Sequence, residues 1–469
     1  MIGLTVLSEA AGRDCTASQA ADVVDYFDTD VLYVRSAERD RSMREAVPDS
    51  VTVARYDPQS PTAEVLAADS EMTLVAATSV AELRTYASER LSGRKDATTF
   101  VLSDLLTVSL DLTRLEAELA GLEAYREALD EAADRTVQLT TGAVPSYRRE
   151  WDGLVVQGVM PEASEGGGDS SADVAHAALR PDGTVRTETR SLGTFGLEAI
   201  ADVGRRRAET LRDEGFDSRA ELADATPHDL ARLEGIGRPT ARTIVESATV
   251  LETGEARVAP NASLPSGEPI FVDIETDGLD PSIVWLIGAL DRSADGYGSF
   301  LETDPSRPAG AIEAFLGWLA DVDPGRPVVA YNGRNFDFPI VEDHVAKHCP
   351  EHAETWASLP KFDPYRWAVE RDNAVLPGLT NALEDVASAL GWESDETGLS
   401  GAVVGRRYRR YAETPERELD WERHERYCED DVRALAFVYD RLEEAQPLER
   451  AEEDDRSEPT TSQGTLADF

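Results

Sequence analysis

The chain of 469 residues carries 91 acidic against 46 basic side chains, a net charge of −45, and 41% of its residues are hydrophobic. That length allows two to four domains, and the apolar content excludes a disordered polyelectrolyte. No stretch approaches the roughly 18 consecutive apolar residues of a membrane-spanning helix, and MIGLTVLSEAAGRDC has neither the basic nor the long apolar region of a signal peptide, so a cytoplasmic protein with no membrane partner is expected.

From Met1 to about Leu122, Val-rich runs alternate with amphipathic stretches. Asp30–Arg35, Ser50–Tyr56 and Thr73–Thr78 read as strands, and the 3.6-residue spacing predicts helices over Ala81–Leu91 and Leu115–Ala133. The alternation predicts an α/β domain over residues 1–160. No Gly-rich phosphate-binding motif occurs there, and the pattern assigns the domain no role. Pro161–Asp173 is a low-complexity stretch, and Ala175–Leu179 and Thr184–Arg190 flank Asp182–Gly183, a hairpin turn signal; residues 161–196 are read as linker plus β-hairpin. Cys15, Cys349 and Cys428 are too few and too far apart for a disulfide framework or a Cys-rich zinc site, so all three are expected to be reduced. The basic residues are 43 Arg and only 3 Lys. With the acidic excess, this resembles the composition of haloarchaeal proteins adapted to molar salt. At about 1 M salt the Debye length is about 3 Å, so the net charge does not argue against nucleic acid. Contacts would come from local Arg clusters.

Residues 197–250 contain a duplication. Ile200, Gly204, Ala208 and Leu211 align with Leu233, Gly237, Ala241 and Ile244, each pair 33 positions apart. The second copy reads as an apolar helix, a tight hairpin (Gly235-Ile236-Gly237) and a helix opened by Pro239; the first copy is similar, with Asp202 standing where the second has Gly235. Free backbone N–H groups at such a helix start suit a phosphate oxygen. The segment resembles the tandem helix-hairpin-helix domain of DNA repair and recombination proteins. That resemblance implies a grip on the sugar–phosphate backbone through Gly204, Gly235 and Gly237, assisted by Arg205, Arg206 and Arg238, with Arg207 and Arg242 nearby. Residues 251–267, rich in Pro, Ser and Ala, read as a second linker.

Three carboxylate motifs follow in order. In PIFVDIETDGLD, strand alternation puts Asp273 and Glu275 on one face and Val272 and Ile274 on the other. Paired carboxylates at a strand end are costly unless a cation neutralises them, and Mg²⁺ or Mn²⁺ suits oxygen ligands. In PVVAYNGRNFDFPIVEDH, a strand over Val328–Tyr331 runs into Asn332, and Asp337 opens a helix. In ERYCEDDVRALAFVYDRL, Tyr427 and Asp431 share a helical face at i and i+4, and Asp430 is a rival to Asp431. The ordered set, over residues 268–445, resembles the DEDD exonuclease superfamily of ribonuclease H-like fold in its tyrosine variant. The resemblance implies a multidomain α/β protein with a C-terminal ribonuclease H-like exonuclease domain. Asp273, Glu275, Asp337 and Asp431 would hold two Mg²⁺ or Mn²⁺ ions, Tyr427 would orient the attacking water, and Asn332 would position the second-motif loop or the substrate. A 3′→5′ DNA exonuclease in repair or replication is the expectation. RNA is an alternative substrate, and a non-catalytic repair scaffold is the competing class.

Arg406, Arg407, Arg409 and Arg410, interleaved with Tyr408 and Tyr411, suggest a path for a single strand, with Arg forks on phosphates and Tyr on bases. His344, His348, Cys349 and His352 have metal-ligand spacing if helical, although Pro350 should end the helix first. Residues 446–469 read as a disordered acidic tail ending in Gln463, Leu466 and Phe469. That ending resembles the peptide with which proteins dock on PCNA-like sliding clamps.

Overall fold

The computed structural model describes residues 1–448 apart from 35–39, 56–59, 92–96, 112–115, 130–131, 133–134, 162–172, 295, 321, 324, 396 and 415–418. The chain divides into two units, Met1–Thr249 and Val250–Phe469. No helix among the described residues is long and apolar enough to cross a membrane.

The first unit begins with β1 (Ile2–Leu7), α1 (Glu9–Asp14), α2 (Ala17–Tyr26), β2 (Val31–Val34), α3 (Asp40–Ala46), β3 (Thr52–Arg55), β4 (Ala63–Ala68), β5 (Met72–Ala77), α4 (Val80–Tyr86) and β6 (Thr98–Leu102). It continues with β7 (Thr107–Asp111), β8 (Glu116–Ala120), α5 (Leu122–Leu129), β9 (Thr136–Thr140), β10 (Arg148–Trp151), β11 (Leu154–Gly158), β12 (Asp173–Leu179) and β13 (Val185–Ser191). One sheet has the order β13-β12-β1-β2-β3, the other β10-β11-β9-β6-β5-β4. Ile2, Leu4 and Val6 of β1 pack with Leu74, Phe100 and Leu139 of the second sheet, so the two sheets share one core. Leu83, Tyr125 and Leu129 of α4 and α5 form another core with Val101 and Val156. A strand such as β1, buried along its whole length, explains why the Val-rich runs lack a polar face.

Two expectations for this unit change. The helix expected over Leu115–Ala133 is instead β8, paired antiparallel with β7, followed by the short α5. Gly121, at φ +87°, breaks the chain between them, a conformation that a continuous helix does not admit. The hairpin over 173–191 forms with its turn at Gly183 (φ +82°), but β12 also pairs with β1, which makes the hairpin the margin of the first sheet rather than part of a linker. The low-complexity residues 162–172 lie outside the described set. The unit closes with α6 (Arg205–Asp213), α7 (Arg219–Ala223), α8 (Pro227–Leu230) and α9 (Arg238–Thr253).

The second unit contains β14 (Arg257–Val258), β15 (Ile270–Thr276), β16 (Val284–Asp291), β17 (Gly296–Leu301), α10 (Gly310–Leu319), β18 (Val328–Val329), α11 (Asp337–His348), α12 (Ala353–Ser358) and β19 (Lys361–Phe362). After these come β20 (Ala374–Val375), α13 (Leu383–Ala389), α14 (Gly401–Glu413), α15 (Trp421–Glu444) and β21 (Gln446–Pro447). The main sheet runs β17-β16-β15-β18-β19, with β15, β16 and β17 antiparallel and β18 and β19 parallel to β15. Alternation along β15 sends Val272 and Ile274 into a core with Ile312, Phe315, Phe338 and Val341 of α10 and α11. Phe271 goes to the opposite side, against Val432, Leu435 and Tyr439 of α15. A small sheet, β20-β14-β21, takes in part of the second linker and the start of the tail, so Arg257–Val258 and Gln446–Pro447 are ordered strands.

Candidate active site and nucleic-acid interface

Asp273 and Glu275 leave β15 on the face that α15 covers, and Asp337 is the first residue of α11. With Tyr427 and Asp431 from α15 they line one cleft of about 620 Å³, together with Tyr331, Asn332 and Phe336. Four carboxylates from three separated segments therefore meet in one place. Glu275 and Asp337 are each only 6% exposed, so they cannot discharge into solvent. Burial first, then the charge of Asp431, pushes Asp273 and Glu275 well above the ordinary carboxylate range; Glu275 and Asp337 add to the shift of Asp273, and Asp337 to that of Glu275. Asp337 is pushed up to about 7 by burial, with Asp363 adding to it; Asp431 reaches about 7 by burial and the neighbouring Glu384. The Tyr427 hydroxyl hydrogen-bonds the Asp431 carboxylate, which lowers it in part, and burial pushes the phenol itself far up. Such a set stays charged only beside a cation, and four carboxylates suit hard divalent ions.

The neighbouring Asp430 points elsewhere: it accepts hydrogen bonds from Trp392 Nε1 at 3.2 Å and from the Asp395 amide at 3.3 Å. The loop carrying Asn332 is held by a buried carboxylate just after β19. Asp363, 4% exposed, accepts from the amides of Asn332 (3.0 Å), Arg334 (3.0 Å) and Arg366 (3.1 Å). Asn332 itself sits at φ +57°, where a short amide side chain is tolerated, and its Oδ1 accepts from Asn335 Nδ2 at 2.8 Å. Leu279, 91% exposed, also lines the cleft; an apolar residue inside the polar turn DGLD was the signal for it.

The Arg-rich helix α14 divides by face. Arg406 and Arg409 line the cleft with Gly401, Ala402 and Gly405, whereas Arg407 and Arg410 do not. Arg407 instead faces Asp420 and Arg423. Tyr408 is fully buried and stacked on Trp285 (4.8 Å between centroids, 5° between planes), and the Tyr411 hydroxyl donates to the Thr303 carbonyl at 2.8 Å. These tyrosines are packing groups, and the expected stacking of Tyr408 on bases is ruled out by its burial. The reason is that the 3.6-residue period gives Arg and Tyr opposite faces, and the apolar ring takes the inner one. The histidine segment holds no joint site either: His344 is bonded to the Ile340 carbonyl at 2.9 Å, and Cys349 belongs to the core of α10 and α11. None of the three cysteines forms a disulfide, and all are buried. Among the described residues, the one group of three His, Cys, Asp or Glu within ligand reach of one another is Asp273, Glu275 and Cys428.

In the first unit the duplicated segment forms two like hairpins. Asp202 at φ +65° and Gly235 at φ +80° make the same left-handed turn, so Asp replaces Gly without changing the backbone. Gly204 and Gly237 precede α6 and α9 and accept from Ala208 and Ala241 at 3.0 and 2.8 Å. Ile200, Ala208, Leu211, Ala241 and Ile244 are buried, while Arg205, Arg206, Arg238 and Arg242 are exposed. Arg205 pairs with Glu209 at 3.6 Å, and Arg207 donates to the Asp202 carbonyl. Gln463, Leu466 and Phe469 lie outside the described residues.

Comparison with known families agrees with both segments. Residues 270–443 match the RNase_H superfamily, and residues 196–249 match the SAM-like helix-hairpin-helix tandem. No curated protein matches the chain. Among solved structures, the chain is similar to the ExoI/SSB-Ct complex at 18% identity and a TM-score of 0.21, over 32% of this chain and 42% of that one. It is also similar to the zinc-bound form of an E. coli ExoI–ssDNA complex, at 16% identity and a TM-score of 0.22, over 33% and 41%. The chain thus spans less than half the length of these exonuclease I chains. The protein therefore combines an RNase H-superfamily domain in its C-terminal part with a helix-hairpin-helix tandem ahead of it.

Proposed function

We propose that the chain is a divalent-metal-dependent nuclease, a 3′→5′ DNA exonuclease acting in repair or replication. The observation that carries this reading is the convergence of Asp273, Glu275, Asp337 and Asp431 in one cleft, where their own burial and charge leave them in need of cations. These four side chains would hold two Mg²⁺ or Mn²⁺ ions, which supply a nucleophilic water at neutral pH and neutralise charge on the leaving oxygen. Tyr427, tied to Asp431, presents its hydroxyl to the cleft and orients the attacking water. Asn332, whose loop Asp363 fixes, lines the same cleft and positions that loop or the substrate. Arg406 and Arg409 supply the positive charge that a phosphate backbone needs in a protein of net charge −45. The helix-hairpin-helix tandem would hold DNA through Gly204, Gly237 and the exposed Arg205, Arg206 and Arg238. The terminal Gln463, Leu466 and Phe469 would tether the enzyme to a sliding clamp, raising its effective concentration at DNA ends.

The test is hydrolysis of end-labelled DNA and of matched RNA in molar salt with Mg²⁺ or Mn²⁺, against Asp273→Ala. Loss of 3′-terminal nucleotides from DNA, abolished by the substitution and by chelator, is expected. Release that survives Asp273→Ala would refute the site, and preference for RNA would turn the reading to an exoribonuclease.

A further inference from the structure

The thiol of Cys428 has no part in the mechanism above, yet it sits inside the carboxylate cluster. Its Sγ lies 3.7 Å from Asp273 Oδ2 and 3.9 Å from the Asp273 carbonyl oxygen. The space for it is made on the neighbouring strand: Gly288 is the cross-strand partner of Asp273, and a Cβ there would fall 2.8 Å from Sγ. Donor atoms of Asp273, Glu275 and Cys428 all lie within 4.8 Å of one another. Glu275, 6% exposed and facing the same cleft, has no hydrogen-bond donor on its carboxylate among the described residues. On a tetrahedral ion with metal–sulfur and metal–oxygen bonds of about 2.3 and 2.1 Å, donors sit about 3.5 Å apart. The Sγ–Asp273 Oδ2 separation of 3.7 Å is already close to that, and the widest separation in the trio has to close by about 1 Å.

We propose that Cys428 is a latent third ligand to the Asp273–Glu275 pair, so that the cleft takes up thiophilic divalent cations such as Cd²⁺ or Zn²⁺ through one thiolate and two carboxylates. Hard cations such as Mg²⁺ have no preference for sulfur and leave the thiol as a neighbour, whereas softer ones select it. On binding, the S–H bond breaks, the S–metal bond forms and the proton leaves to solvent, with no change of oxidation state. A cation held this way competes with the hard ions for Asp273 and Glu275. The inference rests on the reading that these carboxylates hold divalent ions, and it concerns which ions they take.

The experiment is titration of the full-length, chelator-treated protein with Cd²⁺, followed by the ultraviolet sulfur-to-cadmium charge-transfer absorption. The wild type and a Cys15→Ser, Cys349→Ser variant are expected to show the band, and Cys428→Ser to lack it. Asp273→Asn with Glu275→Gln, which keeps the thiol, should weaken Cd²⁺ by about 10–100-fold. Gly288→Ala, which displaces Sγ without removing it, should also weaken binding and serves if the serine variant does not fold. No band in the wild type, a band that persists in Cys428→Ser, or unchanged affinity without the carboxylates would each overturn the proposal. Because absorption does not depend on turnover, a protein that binds Cd²⁺ as described but hydrolyses nothing would refute the nuclease reading alone.

Discussion

Replacing Asp337 by Asn should make the metal-free protein more stable while abolishing hydrolysis. Asp337 is 6% exposed and its carboxyl is raised from 3.8 to about 7, chiefly by burial. A raised folded-state value means that the native state binds the proton more tightly than the unfolded chain. The stabilisation is therefore fully present below about pH 4 and is lost as the pH rises through about 7. At about pH 8 the ionised carboxylate costs the native state about 4 kcal/mol, from roughly three pH units at about 1.4 kcal/mol each. An Asn of the same shape removes that cost, so the variant should gain several kcal/mol at about pH 8 and about 2 kcal/mol less than that at about pH 5.5. Urea unfolding in chelator, read by tryptophan fluorescence, is suited to the measurement, because six of the seven tryptophans lie in the second unit. Adding Mg²⁺ should reverse the order by stabilising the wild type more than the variant. A variant no more stable than wild type at about pH 8, or a gap independent of pH, would show that the buried carboxylate is satisfied without a cation, and the argument for the site would fail.

Tyr408→Ala should cost about 3–5 kcal/mol in the same unfolding assay, as removal of a fully buried ring, while Tyr408→Phe should gain about 1 kcal/mol because the buried hydroxyl has no partner among the described residues. Unchanged stability in the alanine variant would return Tyr408 to a role in binding. Arg406→Ala with Arg409→Ala should raise the KM for single-stranded DNA about tenfold and reduce the slope of log affinity on log salt by about 1.4, two phosphate contacts; Arg407→Ala with Arg410→Ala should do neither. Asp363→Ala should lower stability by about 2 kcal/mol or more by stranding three amides, and lower kcat more than tenfold with little effect on KM, which steady-state kinetics will resolve.

The carboxylate cluster is legible in the sequence where a short-range period fixes the answer. Alternation in FVDIE places Asp273 and Glu275 on one face, and i, i+4 spacing joins Tyr427 to Asp431, so neither needs tertiary information. The tandem hairpins are legible for the same reason, since the repeat aligns Asp202 with Gly235 and both take the same turn. Faces that depend on what packs against them are not. On α14 the period separates the four arginines from Tyr408 and Tyr411, but which of those arginines line the cleft depends on what packs against the helix, Trp285 on Tyr408 among them. Likewise the spacing from Tyr427 favours Asp431, but only the bond from Trp392 shows where the neighbouring Asp430 goes. Residues 115–133 carry helical spacing across Gly121, and the pairing of β8 with β7 overrides it. Cys428 and Gly288 could not be linked at all, because they meet only where α15 packs on β16.

The small sheet has a consequence for how the RNase H-like unit can be handled. Arg257 pairs with Gln446 and Val258 with Pro447, and the Leu448 amide donates to the Val258 carbonyl at 2.8 Å. Adjacent strands run about 4.8 Å apart, so the incoming and outgoing polypeptide lie side by side. A body whose two leads emerge together behaves as a plug-in module: it can be grafted into a surface loop of a foreign host, or rejoined head to tail and reopened elsewhere, without stretching either lead.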